Sequence, residues 1–442
     1  MMHYKRVSFY ESALIGVNAV GIGELYLQYR QWRSYFSNEM PPALSGKLKE
    51  EEFRNIQAYG RDKRVFAICR DIKDILFSNV SILTKLPSRV YKWIARCTPV
   101  EVGSFAHCCA YSIVVDVVST LISLPFDYYH QFVVEEKHGF NKMTRKEFLM
   151  DEVKMICLRV FLMHPILTGL ILQVVQRFGK RFPLYLFLGS TAIAFSFTFI
   201  YPTLIQPLFN TYTAIPEDST LYGKILSLAK SHKFPLKKLY QVDGSRRSGH
   251  SNAYFYGFGS NKRIVLYDTL IKQMEGDDDL VLSLLCHELG HWKNNHTILL
   301  LSIGIVQMFC ISFGARYVIF NNGIYKEFGF TDVNPFIGFE IFLSVVVEPL
   351  VQLLSYGVSL LSRRLEFQAD RFAVESGFGP SLRKALIITQ MENKADLTPD
   401  SLYAALKYTH PPLNERIAAI DAEIKKGKAK LSVELKESKK TS

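Results

Sequence analysis

No two of the seven cysteines, at 69, 97, 108, 109, 157, 286 and 310, form a C-x-x-C pair, and most lie in apolar runs. That favours buried free thiols over a disulfide framework or thiolate metal ligands. The first apolar run is followed by no small-residue cleavage site, so it reads as a retained span rather than a signal peptide. Self-similarity at a period of 20–50 residues is absent, which excludes a solenoid or a propeller. No nucleic-acid recognition motif accompanies the net charge of +12. The basic residues cluster beside apolar blocks, where they meet anionic lipid headgroups and fix topology, so no nucleic acid partner is expected. Histidine is scarce, 11 in 442 residues, which makes any patterned pair of them informative.

Apolar sequence is what the chain has in quantity. Hydrophobic residues make up 48% and aromatics 13%, and mean hydropathy is +0.08. The apolar residues come in long blocks, as in a polytopic membrane protein with soluble insertions. Seven spans are expected: Phe9 to Tyr29, Val65 to Leu83, Phe105 to Phe126, Met155 to Phe178, Leu184 to Tyr201, Thr297 to Phe320, and Phe336 to Leu361. The second carries Arg70, Asp71, Lys73 and Asp74. It is either an interfacial helix or a span whose polar face lines a water-filled cavity. Before the first span stand only Lys5 and Arg6, and after it come Arg30, Arg33, Lys47, Lys49, Arg54, Arg61, Lys63 and Arg64. The positive-inside rule places the N-terminus outside the cytosol and, with seven crossings, the C-terminus inside.

Residues 202–296 form the largest soluble insertion, broken from the fifth span by Pro202, Pro207 and Pro216. A short helix is expected over Leu221 to Ser231. Strands follow over Lys238 to Val242, Ala253 to Phe258 and Arg263 to Tyr267, the last two joined at Gly257, Gly259, Ser260 and Asn261. The insertion ends in Cys286-His287-Glu288-Leu289-Gly290-His291-Trp292. Gly276-Asp277-Asp278-Asp279 supplies an N-cap and an acidic first turn, and Leu280, Val281, Leu284 and Leu285 an apolar stripe, so this is a helix. Positions i and i+4 share a helix face, and His287 and His291 can present two imidazoles to one metal. Glu288, rotated about 100° from His287, lies beside that metal, where a base must sit to activate water.

Two ligands do not complete a catalytic site. Beyond the seventh span, Arg364-Leu365-Glu366-Phe367-Gln368-Ala369-Asp370 continues as a helix and stops at Gly377. Glu366 and Asp370 share a face, so one carboxylate can ligate zinc while the other accepts the N–H of a ligating histidine. Ala369 leaves room for two helices to approach. His291 precedes the sixth span by about six residues, roughly 9 Å of helix, and Glu366 follows the seventh by about five. Adjacent spans therefore carry both halves of the site to one membrane face. Two histidines, one glutamate and an open position describe a catalytic zinc site, one ion per chain.

His287-Glu288-Leu289-Gly290-His291, Glu366-Phe367-Gln368-Ala369-Asp370 and His410-Pro411-Pro412 with Arg416 resemble, in this order on a polytopic chain, the type I CAAX prenyl proteases. Tyr26-Leu27-Gln28-Tyr29-Arg30-Gln31 and Ser251-Asn252-Ala253-Tyr254 add to the resemblance, which covers nearly the whole chain. It implies a mainly α, polytopic membrane protein: about seven transmembrane helices form a barrel around a water-filled chamber, with a gluzincin-like zinc metallopeptidase domain of helices and a small β-sheet on the cytosolic side. The polar groups Asp116 and Glu348 in apolar runs, and those of the second span, would then face the chamber or a neighbouring helix. It implies His287, His291 and Glu366 as zinc ligands, Glu288 as general base and proton donor, and Asp370 as the group orienting a ligating histidine. His410 would stabilise the oxyanion with help from Arg416, and Asn252 and Ala253 would hold the substrate backbone. The implied substrates are isoprenylated (farnesylated) CAAX peptides or proteins, which lose their last three residues beside the lipid bilayer. A quality-control membrane metalloprotease and an inactive zinc-stabilised scaffold are the alternatives, and the intact Glu288 argues against the scaffold.

The expected division is 1–201 for the first five spans, 202–296 for the insertion, 297–361 for the last two spans, 362–424 for a C-terminal catalytic segment and 425–442 for a disordered basic tail. The ending Lys439-Lys440-Thr441-Ser442 resembles a dilysine retrieval signal. It suggests the endoplasmic reticulum membrane or nuclear envelope, with the site facing the cytosol. The connector 321–335 carries one basic residue, Lys326, which places it on the opposite side. Single cysteines introduced there should resist a membrane-impermeant thiol reagent applied from the cytosolic side, and labelling from that side would overturn the seven-span topology.

Overall fold

A computed structural model describes residues 8–41, 44, 46, 48–257 and 259–441. Lys5, Arg6, Lys47, Phe258 and Ser442, used above, lie outside the described residues. The membrane half begins with α1 (Phe9–Ser34), α2 (Glu50–Leu83) and α3 (Leu86–Cys97). Next come α4 (Phe105–Tyr129), which continues to Glu135, then α5 (Arg145–Leu158), α6 (His164–Phe178) and α7 (Phe182–Ile200). Ser8 and Glu11 close a reciprocal cap at the start of α1, which satisfies the first free N–H groups. Between α6 and α7 the chain reverses at Gly179, whose φ of 50° and ψ of −124° suit glycine alone.

The next segment holds β1 (Tyr212–Ala214), α8 (Thr220–Ser231), β2 (Leu236–Val242), β3 (Ala253–Tyr256), β4 (Lys262–Tyr267), α9 (Asp268–Gln273) and α10 (Asp278–Lys293). The chain then returns through α11 (His296–Gly314), α12 (Arg316–Ile319), α13 (Asn322–Glu327), α14 (Pro335–Phe342) and α15 (Glu348–Ala373). It ends with α16 (Gly379–Glu392), α17 (Ser401–Lys407) and α18 (Leu413–Thr441).

A helix stands at each of the seven expected spans. Among the described residues, four continuous helical stretches are long and apolar enough to cross a membrane: Phe105–Glu135, Arg145–Leu208, His296–Ile319 and Pro335–Glu392. The second of these contains the reversal at Gly179 and so holds two of the expected spans. α1 and α2 are about 39 and 51 Å long at 1.5 Å per residue and pack along one another, but they are less apolar. The polar groups of α2 do not face outward at random. Asp71 and Asp74 line a cavity of about 160 Å³ with Glu24 and Glu348, and Lys73 donates to Ser123 at 3.2 Å. Asp116 pairs with Arg159 at 2.9 Å, an ion pair between neighbouring helices. Asp116, in an apolar helix, is thus kept with a protein partner, whereas Arg70 and Asp74 on the less apolar α2 are exposed.

The sheet order is β1-β2-β4-β3, with β2 parallel to β4 and the outer pairs antiparallel. β3 is an edge strand, paired with β4 from Ala253↔Leu266 to Tyr256↔Arg263. Gly257 turns the chain between them at φ 109°, where a Cβ would lie 2.1 Å from the Asn261 carbonyl oxygen. β1 is absent from the sequence reading because three residues are too few to show alternation. The 425–442 stretch, expected to be disordered, instead continues α18 to Thr441. Its Lys, Glu, Ala and Leu are good helix formers, and no proline interrupts them.

Besides a small cluster of Tyr59, Phe66, Val134 and Phe140, two large apolar cores form among the described residues. One lies among α8, the sheet, α10, α16 and α18, around Leu266, Leu285, Cys286 and Leu382. The other joins α3, α4, α6 and α7 to α12–α14. Cys286 is fully buried in the first, as an inert thiol. α10 crosses α15 at Gly290, where a Cβ would meet the Ala369 backbone at 3.0 Å and Phe372 Cβ at 3.1 Å. Gly290→Val should therefore destabilise the protein by about 1–3 kcal/mol through overpacking. A lower melting temperature in detergent, with loss of metal binding, is the expected result, and an unchanged melt would refute this close approach.

Candidate metal centre

α10 starts where its sequence says a helix should. Asp277 caps it, its carboxylate accepting the Asp279 N–H at 3.2 Å, and Asp278 and Asp279 sit against the positive end of the helix dipole. Burial of Leu280, Val281, Leu285 and Leu289 in the catalytic core turns His287, Glu288 and His291 toward α15. α15 answers with Glu366 and Asp370, buried at 6% and 2% exposure. The short residues at the crossing, Gly290 and Ala369, let the two helices close on the polar groups between them.

The ring nitrogens His287 Nε2 and His291 Nε2 lie 3.2 Å apart. Glu366 Oε2 is 3.4 Å from the first and its Oε1 3.2 Å from the second. One ligand atom from each residue falls within 4.8 Å of the others. The other ring nitrogens are already engaged: His287 Nδ1 lies 2.9 Å from Asp370 Oδ1, and His291 Nδ1 lies 3.0 Å from His296 Nδ1. If each Nδ1 carries its proton, two bare Nε2 lone pairs and a carboxylate converge on one point. Glu366 Oε2 is buried with no hydrogen-bond partner. Lone pairs converging without a proton between them fit a bound cation, and N/O donors of this kind suit zinc. The local field agrees. Burial alone would lower the His287 pKa, but the Asp370 and Glu366 carboxylates outweigh it and lift it to about 9.

Glu288 is half-buried beside the two histidines, and burial raises its carboxyl above the ordinary range, against the pull of His287 and His291. It lines a cavity of about 730 Å³ together with His291, Glu366, His410, Trp292 and the β3 residues Tyr254, Phe255 and Tyr256. His410 is 64% exposed at this cavity, its Nε2 3.4 Å from Glu366 Oε1. The base, the His410 ring and two of the three candidate ligands, His291 and Glu366, thus open on one space beside a strand edge, with His287 buried behind them. Asn252 and Ala253 stand at the head of β3, the Asn252 side chain accepting the Ala253 N–H at 2.8 Å. They do not line the cavity, whose strand wall begins at Tyr254.

Arg416 differs from its expected place beside the oxyanion. It is 8% exposed and grips Asp370, with Nε to Oδ2 at 2.9 Å and Nη2 to Oδ1 at 2.6 Å. Its Nη2 is also 3.4 Å from His287 Nδ1. A guanidinium buried against a carboxylate in this two-point fashion holds the partner of His287 and does not line the cavity that His410 opens on. His296 matches no ligand pattern in the sequence. It lies five residues past His291, off the i,i+4 pattern, and only the turn at Asn295, with φ 58°, folds it back.

The loop before His410 is tied to the membrane helices. Arg30 binds Asp400 with two bonds, at 3.0 and 2.9 Å. Tyr35 and Tyr408 both donate to Asp396, and Lys407 pairs with Glu24. This accounts for the polar run Tyr26 to Gln31 at the end of an apolar helix.

Two family models match the chain. One, described as CAAX prenyl protease N-terminal, five membrane helices, covers residues 31–211, and the other, peptidase family M48, covers residues 217–424. The chain is 40% identical over 427 residues to a CAAX prenyl protease 1 homolog of Arabidopsis thaliana, spanning 95% of this chain and 99% of that one. It is 33% identical over 421 residues to CAAX prenyl protease 1 of Saccharomyces cerevisiae, spanning 90% and 92%. The crystal structure of S. mikatae Ste24p superposes with a TM-score of 0.87 at 32% identity, over 94% of this chain and 99% of that one.

Removing Arg416 strands the Asp370 carboxylate in a buried site. Arg416→Ala should cost about 3–5 kcal/mol, and Arg416→Lys should recover little because an ammonium cannot make the two-point contact. Melting curves in detergent are the check, and a wild-type melt for Arg416→Ala would show that the pair carries no such weight.

Proposed function

From the premise that this chain belongs to the CAAX prenyl protease family of M48 peptidases, we propose that it removes the three residues following the prenylated cysteine, using one zinc ion. It is a multi-pass membrane metalloprotease of CAAX processing, so its substrates carry an isoprenoid. The farnesyl group as that isoprenoid, the endoplasmic reticulum membrane as the location and a cytosol-facing site are parts of the proposal. The observation that carries it is the convergence of His287 Nε2, His291 Nε2 and Glu366 on one point, with Glu288 opening on the same cavity.

Bound at that point, zinc would supply Lewis acidity to the scissile carbonyl and lower the pKa of the attacking water. The chain's own residues do the rest. Glu288 takes the proton from the water and returns it to the leaving amine, a task suited to a carboxyl whose pKa burial has raised. His410 offers its ring N–H to the developing oxyanion. Asp370, held by Arg416, fixes the His287 ring so that Nε2 points at the ligand position. The free edge of β3 accepts an extended peptide backbone as an added strand, and Asn252 and Ala253 are assigned to its end. The aromatic wall of Tyr254, Phe255, Tyr256 and Trp292 gives the peptide an apolar surface next to the membrane.

Purified protein should release a tripeptide from a farnesylated CAAX peptide, lose the activity to a chelator and recover it with zinc. Glu288→Gln should lower kcat by about 10²–10⁴-fold while zinc content, measured by metal analysis, stays near one per chain. Zinc-loaded wild-type protein that releases no tripeptide would overturn the proposal, and equal activity on unprenylated peptides would favour the quality-control alternative.

A further inference from the structure

His296 opens α11 directly after the left-handed Asn295, and only 3% of it is exposed. Both of its ring nitrogens are engaged: Nδ1 lies 3.0 Å from His291 Nδ1, and Nε2 lies 2.9 Å from Gln368 Oε1. The three side chains come from three helices, α10, α11 and α15. With neutral rings, one arrangement of protons satisfies every pair. The Gln368 carbonyl oxygen only accepts, so the His296 proton sits on Nε2. His296 Nδ1 is then bare and must accept, so His291 carries its proton on Nδ1. That leaves His291 Nε2 bare, and this is the atom 3.2 Å from both His287 Nε2 and Glu366 Oε1.

We infer that His296 and Gln368 are positioning residues for the metal centre, forming a neutral relay that holds His291 in the tautomer and ring plane in which Nε2 faces the ion. The inference rests on the metal-ligand reading of His287, His291 and Glu366. The two histidine ligands are thereby supported differently. His287 leans on a carboxylate that is itself clamped by Arg416. His291 leans on an imidazole that is itself held by an amide. A second carboxylate behind His291 would have added negative charge to a pocket already holding Glu288, Glu366 and Asp370, and the relay orients the ring without it. Because His296 is also the first residue of the apolar stretch His296–Ile319, the start of a membrane helix is in direct contact with a metal ligand. Gln368, lying between Glu366 and Asp370 on α15, extends the same frame to the third ligand's helix.

The test uses full-length protein in detergent, with zinc as the probe and a chromophoric chelator as competitor, alongside melting curves with and without zinc. His296→Phe keeps the ring volume and removes both nitrogens, and it should weaken zinc binding about 10–100-fold. Gln368→Leu should weaken it in the same direction by less, since the side chain is exposed on one side. His296→Asn and Gln368→Glu, which keep an acceptor, should recover most of the loss. The melting temperature of metal-stripped protein should stay at the wild-type value in Gln368→Leu, while the rise on adding zinc shrinks. Wild-type zinc affinity in both His296→Phe and Gln368→Leu would overturn the relay. So would a loss that neither acceptor-bearing variant restores. Wild-type protein that binds no zinc would instead defeat the metal-centre reading, and the relay with it.

Discussion

The site depends on how closely α10 and α15 approach. At the crossing, Gly290 stands against the Ala369 backbone with no space for a further methyl group. That contact brings His287 and His291 to 3.4 and 3.2 Å from Glu366, and larger residues at either position would open the gap between donors. The same contact explains why so many charged groups tolerate burial there. Glu366, Asp370, Arg416 and His287 are each under 10% exposed, and Asp370 compensates both Arg416 and His287 at hydrogen-bonding distance, while Glu366 lies 3.4 Å from His287 and 3.2 Å from His291. A buried charged network of this kind adds little net stability over an apolar core but is costly to leave half-made. Its retention follows from the geometry it imposes on the ligands.

The membrane helices serve this geometry. α10 runs almost directly into α11, and α15 carries Glu366 at the far end of the last apolar stretch, so the membrane half presents both ligand-bearing segments together. A second set of ties comes from α1 and α2. Arg30, Gln31, Tyr35 and Arg64 fasten Asp396, Asp400 and Tyr403 in the segment that precedes His410, and Tyr408 closes on Asp396 within it. His410 itself has few contacts, so its position derives from a loop pinned to helices on the other side of the molecule. Polar residues at the end of an apolar helix, which would be a liability in lipid, are here the attachment points of the catalytic segment.

The charges in the centre have separate tasks because their surroundings differ. Glu366 is surrounded by imidazoles and a guanidinium and is suited to ligation. Glu288, half-buried and lacking a cation fixed against it, keeps a raised pKa suited to proton transfer. Asp370 is occupied on both oxygens by Arg416 and so acts on His287 rather than on substrate. In the proposed mechanism Glu288 on α10 and Glu366 and Asp370 on α15 thus divide proton transfer, ligation and orientation among them.

The helix, its two histidines, the base beside them and the carboxylate pair on the second helix were all legible in the sequence, because α-helical periodicity is local and two residues four apart must share a face. The apolar blocks were legible for the same reason, since a run of apolar side chains needs no partner to be recognised. The short strand β1, the parallel pairing of β2 with β4 and the helical continuation of the tail were not. Each depends on neighbours far away in the chain or on a balance of weak propensities. Arg416 and His296 show the division most clearly. The resemblance places the arginine six residues after His410 beside the oxyanion, and the histidine five residues after His291 fits no ligand pattern in the sequence. Only the folded chain decides that Arg416 spends its guanidinium on Asp370, and that the left-handed turn at Asn295 returns His296 to a metal ligand. Long-range contacts are set by how helices cross, and no local pattern encodes a crossing.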